Sequence, residues 1–361
     1  MSTASDAMCD ALDRLSNRGY EFAGHFSNHG PMVADALVAL NAPETVALWC
    51  DAYSRRLGDP PTSTRPIDDR GDAWRLALGD FTRVVDWSDY FARRLTEADW
   101  ESVLRTWWPR LLPGVAAAGT HGMIRTAHAV RALDRCESVA PEPILVAELA
   151  RGLGYWASRY QTVPGNPTLA GPQDALSALR LVPHAPDDAT PLGRGMMGHL
   201  LLTGGTSGFL AALDSYGNRE DINSALSRLT AAGANILLER MDLPVVFAHL
   251  VTAPSAIRFV LPHLSAELHH QTLVEIWKVM AGITASFGQP RLPRVSTVDA
   301  DWSDDLIDSA VEHGDEHVVK LADAGLREYS LNPDPVYAQA AFHAARHLKP
   351  LRRERLVGRK A

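Results

Sequence analysis

The sequence predicts an all-α fold built as a single multi-helix domain, and three observations point there. Nowhere do several alternating β-branched runs lie between turn signals, as a sheet would require. Apolar residues recur instead at helical spacing in one segment after another, separated by short connections rich in proline and glycine. The chain has 361 residues, 46% of them hydrophobic, enough to bury a large core, and no fixed-period repeat marks a solenoid.

Taken in order, residues 4–18 place Ala4, Met8, Leu12 and Leu15 on one helix face. A short connection over 19–24 leads to Asn28-His29-Gly30-Pro31, where proline at a first helical position marks an entry. Helices are expected over 32–40 and 43–57, then a proline-rich loop over 59–71. Tryptophan-rich amphipathic helices follow over 81–95 and 97–112, then helices over 121–133 and 141–159. Residues 163–191 hold six prolines and read as loop with one short helix over 173–179. Residues 196–213 carry no Asp, Glu, Lys or Arg, but Thr203-Gly204-Gly205-Thr206-Ser207-Gly208 interrupts them, so helix, loop, helix is expected rather than a membrane span. Helices are expected over 219–241, 243–251, 254–261 and 266–287, a linker over 288–299, and helices over 304–312, 315–329 and 335–348. The domain therefore covers 1–348, and 349–361, with six Lys or Arg, reads as a solvated basic tail.

Composition narrows the function. A net charge of -8 argues against nucleic acid as a partner. Three cysteines, none in a CxxC spacing, indicate a reducing compartment without disulfides or a thiolate metal site. The first ten residues lack an apolar stretch, so no signal peptide is expected, and the reading is a cytoplasmic protein with no membrane partner. G-x-S-x-G, HExxH and Walker A motifs are absent.

Chemistry concentrates in Glu312–Leu321. Asp315 can cap a helix on which His317 and Lys320, three apart, share a face with Leu321 and Ala324. Burying both is costly, because desolvation penalises the charged form of each. A metal site would justify that cost; the ordinary alternative for Lys320 is a stem that snorkels to the surface. Fourteen histidines in 361 positions should give about half of one i,i+4 pair by chance, yet three occur: His25/His29, His313/His317 and His343/His347. His29, His121 and His249 each sit in apolar surroundings beside a turn, where an inward imidazole needs a partner that a shared metal would provide. A histidine-rich set suits iron or zinc better than magnesium or calcium. A neutral lysine could join it by taking up carbon dioxide as a carbamate. Gly193-Arg194-Gly195-Met196-Met197-Gly198 matches G-x-G-x-x-G, but follows prolines rather than a strand, so close helix packing is the simpler reading. Trp87, Trp100, Trp107 and Trp108 are candidates for an aromatic pocket wall, with core packing favoured for each.

Four blocks, Asn28-His29-Gly30-Pro31, His121-Gly122-Met123-Ile124-Arg125, His249-Leu250-Val251-Thr252 and Asp315-Glu316-His317-Val318-Val319-Lys320, resemble the questin oxidase-like family and occur in its order. Members of that family open or oxidise anthraquinone-type rings, and have been described as Baeyer–Villiger-like. At least one is understood as a non-haem iron dioxygenase with four histidines and a carboxylated lysine on the iron. The resemblance implies His29, His121, His249 and His317 as imidazole ligands and Lys320 as the carbamate, with His128, His25 and His313 as substitutes. It implies iron(II), with zinc or manganese as variants, dioxygen as co-substrate and a small aromatic polyketide-type substrate. The alternatives are an NADPH-dependent Baeyer–Villiger-type monooxygenase and a non-enzymatic helical binding protein.

Overall fold

The computed structural model describes residues 4–136, 141–290 and 303–351. Among these, seventeen α-helices and five short 3-10 segments surround one two-stranded hairpin, so the fold is all-α. The basic tail from 352 onward and most of the 288–299 linker lie outside the described residues.

The helices begin where local chemistry starts them. Pro31 and Pro43 stand in the first turns of Gly30–Ala39 and Pro43–Ser54. Asp99, Asp174, Asp221 and Asp315 cap Trp100–Leu111, Ala175–Leu181, Ile222–Glu239 and Glu316–Leu331 with their carboxylates. Two sequence expectations change. The connection after Gly19 is a hairpin, Glu21–Phe22 paired antiparallel with Phe26–Ser27, turned by Ala23 and Gly24 at φ 49° and 84°. Pro254 does not divide two helices: His249–Ile257 runs through it, and the break lies at Ala248. The Leu250 carbonyl, which Pro254 cannot pair, faces Gly233, where a Cβ would stand 2.1 Å from that oxygen.

The tryptophans are core. Trp87, Trp107 and Trp108 are fully buried, Trp87 and Trp107 in edge contact at 5.8 Å, and Trp108 donates to Thr272 Oγ1 at 3.0 Å. Trp100 packs half-buried on His263. None of the four borders the cavity described below.

Four helices position the site. Gly30–Ala39 packs against His121–Asp134 and against Glu316–Leu331, and His249–Ile257 packs against the same two. They form a closed ring. The apolar segment Pro244–His263 is long enough to cross a membrane by composition, yet 78% of its most apolar window is buried within this protein.

Candidate metal centre

All four predicted histidines stand at the N-terminal ends of the ring helices. His29 precedes Gly30–Ala39, His121 and His249 open their helices, and His317 is the second residue of Glu316–Leu331. Local sequence fixes each one. Asn28 donates Nδ2–H to the Gly19 carbonyl and accepts from Gly30 N–H, and the His29 amide donates to Tyr53 Oη at 2.8 Å. His121 follows Ala118, Gly119 and Thr120, all at positive φ (50°, 64° and 77°). That bend turns the chain sharply into the helix and holds two non-glycine residues in a disfavoured conformation. Gly122 lets the helix press on Trp156, whose Cα would lie 2.6 Å from a Cβ there. The Asp315 carboxylate receives the amides of His317 and Val318.

The rings converge. Ligand atoms of His29, His121 and His317 all lie within 4.8 Å of one another, and all three residues are buried. His249 joins them through its Nε2, 3.1 Å from Nε2 of His121. Ring centroids lie 4.5 Å apart for His29 and His121, 4.8 Å for His29 and His317, and 5.9 Å for His249 and His317.

Hydrogen bonding shows what the His121–His249 pair lacks. Nδ1 of His121 bonds the Ala118 carbonyl at 2.6 Å, and Nδ1 of His249 bonds the Val246 carbonyl at 3.0 Å. Carbonyls only accept, so both protons sit on Nδ1 and both Nε2 atoms of the neutral rings carry bare lone pairs. Two lone pairs at 3.1 Å repel unless a proton or a cation lies between them. Burial, together with Lys320 and the neighbouring imidazoles, holds His29, His121 and His249 well below the usual imidazole range, which disfavours the proton. A cation fits: with metal–nitrogen bonds of about 2.1 Å, two ligands at a right angle stand about 3.0 Å apart. Nδ1–H held by a backbone carbonyl is also the usual outer-shell arrangement of a metal-bound imidazole. Nδ1 of His29 is buried without a hydrogen bond, as is that of His317, which lies 3.4 Å from Asp315 Oδ1 without hydrogen-bonding geometry.

Lys320 lies one turn beyond His317. It is 2% exposed, and Nζ has no hydrogen-bond partner among the described residues, so it does not snorkel. Burial pushes its ammonium down to about 8, against the opposing pull of Glu316 and Asp315. It is near enough to His29, His121 and His249 to depress all three.

None of the three substitutes is among the converging rings, although His25 lines the cavity described below. His128 bonds Asp35 Oδ2 at 2.6 Å through Nδ1. His313 ends the preceding helix and bonds the Leu348 carbonyl; Gly314, at φ 68°, separates it from His317, so their i,i+4 spacing is not a shared face. His25 sits in the hairpin against Phe26. His343 and His347 share a helix, but Nδ1 of His347 bonds the His343 backbone.

A cavity of about 750 Å³ opens onto the four imidazoles, within the range of small-molecule sites. Phe22, Phe26, Phe287, Met196, Met197 and Leu201 supply apolar wall. The Gly193–Gly198 segment forms part of the mouth: Gly195 packs on His25, and Gly198 on the Gly193 carbonyl. Its sequence gave no sign of this role, because the wall comes from three distant stretches.

Sequence reading also missed a buried ionic belt beneath the imidazoles. Asp35, Ser255 and Asp323 lie six positions after His29, His249 and His317, and His128 lies seven after His121. Asp35 receives His128, Arg131 and Arg135. Arg131 spans to Asp323 with two bonds of 2.9 Å, and Arg327 links Asp323 to Ser255. Ser255 and Arg258 close the chain on Glu328. Imidazoles at one level and ion pairs about 9 Å lower, at 1.5 Å rise per residue, hold the four helices side by side with their N-termini together.

No family model matches the sequence, and no curated protein matches it either.

Proposed function

We propose that this chain is a metal-dependent oxygenase of the questin oxidase-like kind, oxidising or cleaving an aromatic polyketide-type ring. The observation that carries the reading is the meeting of His29, His121, His249 and His317 around the bare Nε2 pair, with an unpartnered lysine beside them. Iron(II), the metal favoured by the resemblance, would supply the one-electron chemistry that lets dioxygen react with a closed-shell ring.

The chain's residues do the rest. His29, His121 and His249, held well below the usual imidazole range, are in the neutral state that can ligate. Lys320 is buried with its ammonium lowered to about 8, so a minor fraction at physiological pH is the free amine that can add carbon dioxide. The nitrogen lone pair forms the N–C bond, one C–O π pair moves to oxygen, and the nitrogen's proton leaves to solvent. The carbamate brings oxygen donors and one negative charge, which neutral imidazoles cannot. The apolar wall of Phe22, Phe26, Phe287 and Met196 takes a flat ring system and keeps water from it.

The nicotinamide-dependent alternative finds little support. Gly193–Gly198 leads into a six-residue helix, Gly195–Leu200, and no βαβ unit occurs among the described residues. Dioxygen uptake with a reduced anthraquinone-type substrate tests the proposal. Turnover without NADPH, lost in His121→Ala, is expected; turnover that needs NADPH, or survives that substitution, would sink it. Specific binding with no turnover would favour the helical binding protein.

A further inference from the structure

One imidazole on the cavity wall is fixed in direction and left with a free lone pair. His199 stands on Gly195–Leu200 and lines the cavity beside Phe287. The two rings stack, with centroids 4.4 Å apart and planes 20° from parallel. Nδ1 of His199 bonds the Ser286 carbonyl at 3.3 Å, at the C-terminal end of the 21-residue helix Ala266–Ser286. A carbonyl only accepts, so the neutral ring carries its proton on Nδ1 and a lone pair on Nε2. That Nε2 has no hydrogen-bond partner among the described residues and is not sealed within the protein.

The other ionisable or hydroxyl groups of the wall are engaged or cannot take a proton. Glu21 accepts from Tyr155 and Arg159, Glu316 from Arg56, and Asp315 from the amides of His317 and Val318. Ser27 Oγ donates to Tyr155 Oη, because the Tyr155 proton is on Glu21. Arg194 is a cation and only donates. His25 packs between Phe26 and Gly195, no hydrogen bond fixes its tautomer, and its Nδ1 is closed off without a partner. Among the described residues outside the ligand cluster, His199 is therefore the wall residue that presents a directed base to whatever fills the cavity.

We propose that His199 is the general base of this cavity, taking the proton of an aryl hydroxyl on the ring that is oxidised. The Nε2 lone pair forms the new N–H bond, the O–H bonding pair stays on oxygen, and the aryloxide so formed is the electron-rich form that dioxygen oxidises. The imidazolium keeps Nδ1–H on the Ser286 carbonyl and lies at the negative end of a long helix. An aryl hydroxyl with a pKa of about 10 is ionised in about one molecule in a thousand at neutral pH, and a positioned base is worth about 10²–10⁴ in rate. The assignment rests on the cavity being the substrate site of the proposed oxygenase, but proton acceptance by Nε2 needs no turnover.

Emission of bound 2-naphthol tests this directly, because its excited state is a strong acid and emits differently once a neighbouring base has taken the proton. It is read at neutral pH on the zinc-loaded full chain, where the metal holds the four ligand imidazoles, with 2-methoxynaphthalene as the control that has no proton to give. Naphthol bound to the parent chain should emit chiefly as naphtholate. His199→Gln, whose amide still accepts a hydrogen bond but takes no proton, should bind naphthol with little change in affinity and emit as the neutral form. In dioxygen uptake the same variant should lose about a hundredfold in kcat at unchanged iron content. Naphtholate emission that is absent from the parent or survives in His199→Gln, an undiminished kcat, or failure of the parent to bind naphthol would overturn the proposal. A parent chain that takes up no zinc or shows no dioxygen uptake, and still loses naphtholate emission in His199→Gln, would refute the oxygenase reading and leave the base standing.

Discussion

Replacing Asp323 by Asn separates the stability of the helix ring from its hold on a metal. Asp323 is 5% exposed and accepts two bonds from Arg131 and one from Arg327, at 2.9, 2.9 and 3.0 Å. Neutralising one member of a buried ion pair costs about 3–5 kcal/mol, because the partner charge is stranded. Arg131 keeps Asp35 and Arg327 keeps Ser255 Oγ, which places the loss near about 3 kcal/mol. Asp323 also stands six positions below His317 and three below Lys320, on their own helix. Loosening the belt there lets that helix shift against the other three, and metal affinity should fall about tenfold, as for loss of an outer-shell partner. Urea denaturation of the metal-free protein reads the first effect, and competition of bound zinc against a chromophoric chelator reads the second. Asp86→Asn is the control. Asp86 is equally buried and paired with Arg83, but lies on Val84–Glu97, which bears no predicted ligand. It should lose stability and keep metal affinity. If Asp323→Asn loses stability but binds zinc as tightly as the parent chain, the belt has no part in positioning the ligands.

Other perturbations have equally definite signs. Lys320→Met should stabilise the metal-free protein by on the order of 3 kcal/mol, since the folded state holds this lysine at about 8 rather than its usual 10.5 and thereby disfavours the ammonium; denaturation at pH 7 checks this, and metal affinity should fall in the same variant. His128 is pushed down to about 4 by burial, against the pull of Asp35. The unfolded state therefore binds the proton first, so stability present above pH ~6.5 should be lost as pH falls from ~6.5 toward 4, measured as a falling Tm. Gly122→Ala would drive a methyl into the Trp156 backbone and should cost about 1–3 kcal/mol, with weakened metal binding through displaced His121. His313→Ala should leave metal stoichiometry at the parent value, because its imidazole faces Leu348.

Much of the fold is legible because helix periods and entry signals are local. Pro31, Pro43 and Asp315 mark starts within a few residues of those observed. Misreadings came where one local signal overrode another. Pro254 looked like a boundary, but tight packing at Gly233 lets the helix continue through it. The hairpin at Glu21–Ser27 was too short to show an alternating pattern.

For the site, the inward face of His317 and Lys320 followed from spacing, and both are buried. Pair counting was a poor guide: His313 is cut off by Gly314, and His25 points from a hairpin rather than a helix. The four imidazoles meet through contacts spanning nearly three hundred positions, which no local rule encodes. The same holds for Asp35, Arg131, Ser255 and Asp323, each an ordinary polar residue until the ring of helices sets them side by side.

Metal analysis of tag-free protein by mass spectrometry, alongside the His121→Ala/His249→Ala double variant, tests the central claim most directly. The predicted result is one equivalent of iron, zinc or manganese per chain in the parent and none in the variant. A folded parent chain that holds no stoichiometric metal even after anaerobic iron(II) loading, or a double variant that binds as much as the parent, would contradict it.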